Sequence, residues 1–407
     1  MNRIVIIGGG ASGCAAAISA SENPDNQVVV LERQSRIGRK LLSTGNGRCN
    51  LSNIKATPAE YMSFENNNTE DFTGPALSRF GVDETLNLFH HMGLLTVTES
   101  TGRVYPLSDQ ANSVVDILRF SMGKQNIKLY TARPAQSIIR KNNKFTVKTQ
   151  DGNLLCDKII IACGGAAGAK IGGVTDGYTL LESLGHRRTK LRPSLTQIKT
   201  DPTYPRALKG VKADASVRLI SGNKTIAETG GEVLFTEYGV SGPAIFDISR
   251  DVSCGTAGLS LSLDFLREYS FENTCSILRS KKTTFKDLSS ENLFTGMVHN
   301  RLGKMLCKYA GLSSNETIGS LTENNILSAA SAAKNFVLSV DDVMGFDSAQ
   351  VTVGGISLEE FNPATLQSRI VPGIYACGEV LDVDGRCGGY NLQWAWSSGR
   401  LAGKTET

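Results

Sequence analysis

"RIVIIGGGASGCAAAISASE", residues 3–22, joins a short apolar run to a glycine-rich turn and an alanine-rich segment. The run at 3–8 predicts a β-strand, and the segment opened by the glycines predicts a helix. A second apolar run, QVVVLE, follows at 27–32. Neither run alternates with polar residues, which is typical of strands covered on both faces in a parallel sheet. The stretch therefore predicts a β-turn-α-β unit and an α/β fold of Rossmann-like type.

The glycines of this unit have the Gly-x-Gly-x-x-Gly spacing, with Gly8, Gly10 and Gly13 at the three positions. The first glycine of such a turn permits the bend, the second lets the backbone approach a pyrophosphate, and the third lets helix and strand pack closely. The helix N-terminus then faces the anion. Glu32 ends the second strand, where its carboxylate can accept a hydrogen bond from a ribose hydroxyl. These features together predict dinucleotide binding.

Composition sets the size and class of the protein. A chain of 407 residues with 40% hydrophobic and 20% charged residues fits a protein of two or three globular domains. No apolar run approaches the roughly 18 residues that would span a bilayer, so we expect no membrane contact. The N-terminal residues do not have the pattern of a signal peptide. The net charge of +4 lacks a basic block, so nucleic acid is a possible partner that the sequence does not favour.

The nine cysteines include no C-x-x-C pair, and their number is odd. This usage favours reduced thiols in a cytoplasmic protein over a disulfide framework or a zinc site. Histidines are four in number and have no ligand-like spacing, so we expect no metal. The sequence gives no indication of the oligomeric state.

The pattern of elements changes along the chain and predicts three parts. Residues 1–188 and 346–407 form the discontinuous Rossmann-like domain, which includes a hairpin with turns at KNNK and QDGN. Residues 189–265 have short strands separated by turn residues and predict an inserted β-rich domain. Residues 266–345 have few strand signals and predict an inserted, mostly helical domain.

Two further stretches favour FAD over NAD as the resident dinucleotide. GIYACGEVLDVDG, residues 373–385, resembles the strand that closes many FAD-binding folds, where an acid after the strand meets the ribityl chain. KIIIACGG, residues 158–165, resembles the strand and Ala-Thr-Gly element of the same folds, with Cys163 in place of Thr. No second full Gly-x-Gly-x-x-Gly motif is present. NAD(P)H is therefore expected to visit the flavin transiently as a co-substrate.

The stretch GRKLLSTGNGRCNLSN, residues 38–53, lacks the spacing of an NTPase phosphate loop. Its cations, Arg39, Lys40 and Arg48, can offset pyrophosphate charge, and Cys49 is expected to pack as a thiol near the flavin ring. We predict this set of cofactor contacts: Gly8, Gly10, Ala11, Ser12, Gly13, Glu32, Arg33, Arg39, Lys40, Asn46, Gly47, Arg48, Cys49, Asn50, Ala135, Ala162, Gly164, Gly378, Glu379, Gly389, Asn391 and Leu392.

Candidate catalytic residues flank the Gly388-Gly389 turn, which is expected to face the flavin. Tyr390 could deliver a proton, and Arg386 could hold a carbonyl or carboxylate group. Each also has a plainer interpretation, as a helix-start residue and a solvated arginine. Cys387 is a candidate thiol beside the flavin, although a small packing residue is the favoured interpretation.

Several blocks resemble the BaiN-type, or aminoacetone-oxidase-like, NAD(P)/FAD-dependent oxidoreductases, which are two-dinucleotide-binding-domain flavoproteins. The blocks are GRKLLSTGNGRCNLSN, GRVYPLSDQANSVVDIL, TDGYTLLESLGH, GEVLFTEYGVSGPAI and VTVGGISLEEFNPATLQSRIVPGIYACGEVLDVDGRCGGYNLQWAWSSGRLAG. The resemblance implies an FAD domain interrupted by a β-barrel-like domain and a helical domain. Thr175 and Cys387 depart from the residues usual in the family, which bears on substrate choice more than on FAD binding.

The resemblance also implies a reaction. Family members are linked to reduction of conjugated C=C bonds in bile-acid intermediates, to dihydrouridine formation in ribosomal RNA, and to amine oxidation. The expectation is a cytoplasmic FAD-dependent reductase of an activated C=C bond in a small molecule, with NAD(P)H as donor. A steroid-like enone, specifically a 3-oxo-Δ4,6 bile-acid intermediate, is the favoured substrate. A dihydrouridine synthase acting on 23S rRNA and an amine oxidase are the alternatives.

Overall fold

The opening stretch folds as a strand, a tight turn and a helix in the computed structural model, which describes residues 2–66, 68–125, 127–255 and 257–405. The helices are α1 (Ala11–Ser21), α2 (Thr69–Arg79), α3 (Val82–His91), α4 (Ala111–Lys124), α5 (Asp176–Glu182), α6 (Thr203–Ala207), α7 (Pro243–Cys254), α8 (Phe271–Thr284), α9 (Asn300–Tyr309), α10 (Glu323–Lys334) and α11 (Tyr390–Gly403).

The strands alternate with these helices in the first and last parts of the chain and cluster in the middle. They are β1 (Asn2–Ile7), β2 (Asn26–Leu31), β3 (Ser52–Asn53), β4 (Tyr61–Met62), β5 (Thr96–Thr98), β6 (Arg103–Pro106), β7 (Lys128–Tyr130), β8 (Ala135–Lys141), β9 (Lys144–Thr149), β10 (Gly152–Cys156), β11 (Lys158–Ile161), β12 (Arg192–Ser194), β13 (Ile198–Thr200), β14 (Lys212–Ser221), β15 (Lys224–Phe235), β16 (Gly239–Ser241), β17 (Leu259–Asp264), β18 (Phe336–Val343), β19 (Val351–Val353), β20 (Ile374–Ala376) and β21 (Asp384–Gly385).

A five-stranded parallel sheet forms the centre of the first compact unit, which comprises the described residues up to Arg192 and from Gln350 onward. Its strand order is β20-β11-β1-β2-β7, and each neighbouring pair is parallel. The continuous apolar run in β1 is explained by this arrangement, because Ile4, Val5 and Ile6 are fully buried in the centre of the sheet. The predicted Rossmann-like fold is confirmed.

Helix α11 packs against α1 through small residues. A Cβ atom built on Gly399 would lie 2.3 Å from the backbone oxygen of Ser12, and one on Gly403 would lie 2.4 Å from that of Ala16. Glycine at these positions therefore lets the two helix backbones approach closely. Helix α1 is buried along nearly its whole length, which explains why it is rich in alanine and has no polar face.

Smaller sheets surround this core. The predicted hairpin is present as the antiparallel sheet β10-β9-β8, and Asn142 and Asn143 form its first turn with left-handed φ values of 49° and 59°. Asparagine tolerates this conformation, which two-residue hairpin turns require. The strands β3, β6 and β5 form a separate three-stranded antiparallel sheet, and β21 pairs with β4.

The second compact unit, Pro193–Ala349, contains a closed barrel in the order β13-β16-β15-β14-β17-β18. The helices α8, α9 and α10 lie in the segment 266–345, and this segment also supplies β18 to the barrel. Side chains of the barrel and of these helices, such as Leu261, Leu278 and Leu306, belong to one hydrophobic core. The division of 189–345 into two separate domains stays a prediction.

Within the described residues, no helix is both long enough and apolar enough to cross a membrane.

A buried histidine stabilises the C-terminal part of the first unit. His186 bridges two side chains, because its Nδ1 lies 2.8 Å from the Glu360 carboxylate and its Nε2 lies 3.0 Å from the Ser368 hydroxyl. Its ring stacks on Phe361 with the ring centres 4.8 Å apart. Burial lowers the pKa of His186 below its ordinary value, and Glu360 opposes this effect in part. The neutral imidazole, donating to Glu360 and accepting from Ser368, satisfies both contacts.

Because burial lowers the pKa of His186, we expect the protein to lose stability in acid. Because the folded-state pKa of His186 lies below the unfolded-state value near 6.5, the unfolded chain binds the extra proton first as the pH falls. The free energy of unfolding should therefore decrease between about pH 7 and pH 5. The variant His186→Gln should show a shallower decrease, measured by chemical denaturation at several pH values. His91→Gln, at the exposed end of α3, is the matched control. Equal slopes for His186→Gln and the wild type would contradict this assignment.

Candidate active site

The glycines of the first turn have different tasks. Gly8 has a φ of 112°, and a Cβ built on it would lie 2.3 Å from the carbonyl oxygen of Ala162. A Cβ on Gly13 would lie 1.9 Å from the Gly8 oxygen, so both positions are closed by the protein itself. Gly10, at the N-terminus of α1, faces open space, because no described atom lies within 4 Å of its added Cβ. The free backbone at Gly10 fits a pyrophosphate group.

The carboxylate of Glu32 is held beside this turn. One of its oxygens accepts the backbone N–H of Gly9 at 2.7 Å, and the other accepts that of Gln34 at 2.7 Å. Burial raises the pKa of Glu32, while the backbone donors lower it. Each carboxylate oxygen receives one of these bonds and keeps a further lone pair. The group can therefore accept hydrogen bonds from ribose hydroxyls, and its contact with a cofactor stays a prediction.

A second carboxylate, that of Glu379, lies after the last strand of the parallel sheet. It accepts a hydrogen bond from the backbone N–H of Thr352 at 2.8 Å and forms an ion pair with the Lys40 ammonium at 2.8 Å. Gly378 precedes it with a φ of 75° and donates its N–H to the Ser398 hydroxyl. Two predicted contacts that lie far apart in the sequence, Lys40 and Glu379, thus meet in a half-buried pair.

The loop that follows Lys40 turns sharply through left-handed residues. Gly45, Asn46 and Cys49 have φ values of 56°, 57° and 62°. Cys49 is fully buried, and burial raises the pKa of its thiol to about 12. A protonated, buried thiol is a packing group with little nucleophilic character. Asn46 and the neighbouring Gly47 are exposed.

Three predicted cationic contacts already have protein partners. Arg48 pairs with Glu99 at 3.1 Å and Asp109 at 3.5 Å. Arg33 pairs with Asp176 at 3.2 Å. Arg39 is exposed and donates to the Gln34 side chain at 2.6 Å. Their positive charges are therefore shared with these groups, and their contact with a cofactor stays a prediction.

Asn50 supplies an acceptor that the protein leaves unused. Its side chain is buried, and its Oδ1 atom has no hydrogen-bond partner among the described residues. A Cβ built on Gly389 would lie 2.9 Å from this oxygen, so the acceptor lies at the turn that begins α11. A buried acceptor without a donor costs free energy unless a ligand satisfies it. A flavin ring, which has an N–H donor on its edge, fits this requirement.

The remaining predicted contacts lie in the same unit. Asn391 does not point its amide away from the protein: Oδ1 accepts from the Gly385 N–H at 2.9 Å, and Nδ2 donates to the Gly385 oxygen at 2.8 Å. It therefore shapes the loop before α11. The other members lie in the first turn of α1 (Ala11 and Ser12), at the start of β8 (Ala135), after β11 (Ala162 and Gly164) and in α11 (Leu392).

The three catalytic candidates differ in their surroundings. Tyr390 is buried at the start of α11, and its backbone oxygen accepts the Tyr61 hydroxyl at 2.9 Å. Arg386 lies 3.3 Å from Glu60, and its side chain is 64% exposed. Cys387 is half-buried. The structure thus leaves the chemical roles of these residues as predictions.

Helix α11 is fixed by its two tryptophans. Trp394 and Trp396 are each 2% exposed, and their ring N–H groups donate to the backbone oxygens of Gly378 and Leu51. These bonds hold the helix against the acid-bearing turn and against the loop after Cys49. Sequence reasoning did not single out Thr352 or Ser398, which position Glu379 and Gly378, because backbone-mediated contacts leave no spacing signal.

The comparison with protein families decides the identity. The family model described as the HI0933-like protein Rossmann domain matches residues 2–405 of the chain. The chain belongs to this family. The predicted family and its Rossmann-like fold with an inserted barrel are therefore confirmed.

Two relatives match the chain over almost its whole length. It is 36% identical over 408 residues to the 3-dehydro-bile acid delta(4,6)-reductase of Clostridium scindens, covering 99% of this chain and 98% of the relative. It is 28% identical over 395 residues to the ribosomal RNA dihydrouridine synthase of Escherichia coli, covering 97% and 95%.

A solved structure shares the fold. The 3-ketosteroid delta1-dehydrogenase of Sterolibacterium denitrificans aligns with a TM-score of 0.53 over 99% of both chains, at 13% identity. This likeness shows the fold, and the open turn at Gly10, the Glu32 carboxylate and the Asn50 acceptor fit FAD.

The glycine turn predicts opposite outcomes for two substitutions. Gly10→Val fills open space in an extended backbone region, so the stability of the FAD-free protein should change by less than about 1 kcal/mol. FAD affinity should fall at least about tenfold, because the new side chain occupies the pyrophosphate position.

The matched variant is Gly13→Ala, whose Cβ would overlap the Gly8 oxygen and should cost roughly 1–3 kcal/mol of stability. The measurements are thermal unfolding of the FAD-free proteins and titration with FAD. Normal FAD binding by Gly10→Val would exclude this turn as the pyrophosphate site.

Proposed function

We propose that this protein is an FAD-dependent reductase of a conjugated C=C bond in a steroid-like enone, with NAD(P)H as electron donor. The favoured substrate is a 3-oxo-Δ4,6 bile-acid intermediate. The observation that carries the proposal is the 36% identity to a bile acid delta(4,6)-reductase over 99% of this chain. The choice of NAD(P)H and the cytoplasmic location rest on the sequence alone.

The residues of the first unit would hold the cofactor along its length. Gly10 and the N-terminus of α1 would receive the pyrophosphate, and Glu32 would bind the ribose of the adenosine half. Glu379, held by Lys40 and Thr352, would accept from the ribityl hydroxyls. The Asn50 side chain would accept an N–H of the flavin ring.

Bound FAD would supply a hydride for the β-carbon of the enone when reduced. The protein then has to bind the substrate against the ring, stabilise the charge that develops on the carbonyl oxygen, and exclude competing water. The segment 385–391, from the end of β21 into α11, would serve these tasks. It is held by Asn391, which fixes Gly385, and by Asn53, whose side chain donates to the Gly388 oxygen at 2.8 Å.

A reoxidation experiment tests the proposal. The flavin of the purified protein is reduced with NADH or NADPH without oxygen, and absorbance near 450 nm is followed after a steroid with a conjugated 3-ketone is added. We expect the absorbance to return with the conjugated steroid and to stay low with its saturated 3-oxo counterpart. Absence of flavin from the protein, or failure of the conjugated steroid to reoxidise it, would contradict the proposal.

The RNA reaction is a second candidate because the Escherichia coli relative acts on ribosomal RNA and matches 97% of this chain. Uridine reduction uses the same chemistry on a different substrate. A binding series with ribosomal RNA at increasing salt distinguishes the two. If the protein binds RNA through contacts with several phosphates, raising the salt from 50 to 200 mM should lower the affinity by orders of magnitude. For a steroid reductase we expect weak RNA binding and no dihydrouridine in the product. Amine oxidation, detected as hydrogen peroxide release, stays a prediction.

A further inference from the structure

The guanidinium of Arg103 lies beside the Gly388-Gly389 turn. Within the described parts of the chain, the side chain of Arg103, in β6, has no hydrogen bond to a protein group and no carboxylate within ion-pair distance. It is half-buried, and its Nε lies 3.1 Å from the position of a Cβ built on Gly388. Of the other arginines predicted at the site, Arg33, Arg48 and Arg386 each pair with a carboxylate, and Arg39 donates to the Gln34 side chain.

Tyr105 lies two residues further along the same strand. Successive side chains of a strand point to opposite faces, so Arg103 and Tyr105 share one face while Val104 between them is fully buried on the other. The Tyr105 ring is covered by the Arg48 guanidinium at 4.0 Å. Among the described residues, its hydroxyl has no protein hydrogen-bond partner.

The surroundings of Tyr105 keep its hydroxyl protonated. Burial raises the pKa of Tyr105, nearby Arg48 and Arg103 lower it, and Glu99 and Cys387 raise it. At neutral pH the phenol is therefore a hydrogen-bond donor, next to a guanidinium that is always charged.

Arg103 and Tyr105 lie on the proposed flavin side of the site. Asn53, directly opposite Arg103 in the sheet, donates to the Gly388 oxygen at 2.8 Å and so ties β3 and β6 to the turn. Gly45 also approaches the phenol, because a Cβ built on it would lie 3.0 Å from the Tyr105 Cε1 atom. Arg103 and Tyr105 thus lie between the glycine loop at 45–47 and the turn before α11.

We propose that Arg103 and Tyr105 form the carbonyl-binding pair of the enzyme, both donating hydrogen bonds to the ketone oxygen of the unsaturated substrate. This inference rests on the proposed enone reduction and adds the residues that recognise the substrate and stabilise its charge. Two donors directed at one oxygen, one of them cationic, form an oxyanion site of the kind that this reaction needs.

The electron flow explains why the oxygen needs these donors. Hydride addition, with reduced FAD as the hydride source, forms a C–H bond at the β-carbon. The C=C electron pair becomes the new bond between the α-carbon and the carbonyl carbon, and the C=O pair moves onto oxygen. Arg103 and Tyr105 stabilise this enolate oxygen. A proton from water then forms the C–H bond at the α-carbon and the C=O bond returns, so the substrate gains one hydride, which carries both electrons, and one proton.

Arg386, the arginine that the sequence suggested for this task, is less suited to it. Its side chain is 64% exposed and shares its charge with Glu60 at 3.3 Å. A carbonyl oxygen would have to compete with that carboxylate. Arg103 meets no such competition from the described residues and has less contact with solvent.

The test measures binding to the FAD-loaded protein and needs no turnover. The two ligands are a saturated 3-oxo bile acid and the same steroid without the 3-oxygen, and their dissociation constants are measured by calorimetry. We expect the wild type to bind the ketone more tightly. Arg103→Met and Tyr105→Phe should each reduce the ratio of the two affinities, by roughly tenfold for the arginine and roughly threefold for the tyrosine. Affinity for the deoxygenated steroid should change little.

Matched substitutions elsewhere control for loss of charge and hydroxyl. Arg140→Met, on the exposed strand β8, and Tyr130→Phe, in β7, should keep the wild-type ratio. Arg103→Lys, which keeps the charge, should retain part of the preference, and FAD content and thermal unfolding confirm that each variant is folded. Wild-type ratios in both Arg103→Met and Tyr105→Phe would overturn the inference while leaving enone reduction intact. A wild type that neither prefers the ketone nor reduces the enone would overturn the proposed function and this inference together.

Discussion

The contact between the Gly8 carbonyl and the Gly13 backbone is the constraint on which the nucleotide end of the site depends. An added Cβ on Gly13 would lie 1.9 Å from that oxygen, so α1 can begin directly over the end of β1 with glycine alone at this position. The close approach leaves the N-terminus of α1 and the open backbone at Gly10 facing the same space. Glu32 then completes the arrangement by binding the Gly9 N–H. Any side chain at position 13 would move the helix and separate these groups.

The rest of the site follows from where other segments meet this unit. Helix α11 lies close to α1 because Gly399 and Gly403 allow it, and its tryptophans bind the backbone at Gly378 and Leu51. The acid-bearing turn and the loop 38–53 are thereby brought together. The Lys40–Glu379 ion pair is a consequence of this packing, since it joins the two segments across a half-buried contact.

Short sequence patterns predicted much of the nucleotide-binding unit. The glycine spacing, the acid after the second strand and the closing Gly378-Glu379 turn are short-range patterns. They were enough to predict the packing roles of Gly8 and Gly13 and to locate the Glu32 and Glu379 carboxylates at the ends of strands. Charge in the sequence does not show which cations have protein partners. Arg48 and Arg386 resembled ligand contacts in the sequence, yet each has a carboxylate partner from a distant segment, Glu99 or Glu60. Such pairing depends on tertiary packing and has no spacing that could reveal it.

The sequence by itself determined the Rossmann-like unit and its family and predicted FAD as the cofactor, because backbone conformation and parallel-strand burial impose residue types at fixed short intervals. Only the tertiary structure decided which polar groups remain available. Arg103 and Tyr105 occur in the plain stretch GRVYP, and nothing near them in the chain distinguishes them. Their significance arises because β6 lies beside the Gly388 turn and leaves both donors without a protein acceptor among the described residues, and that follows from three-dimensional proximity.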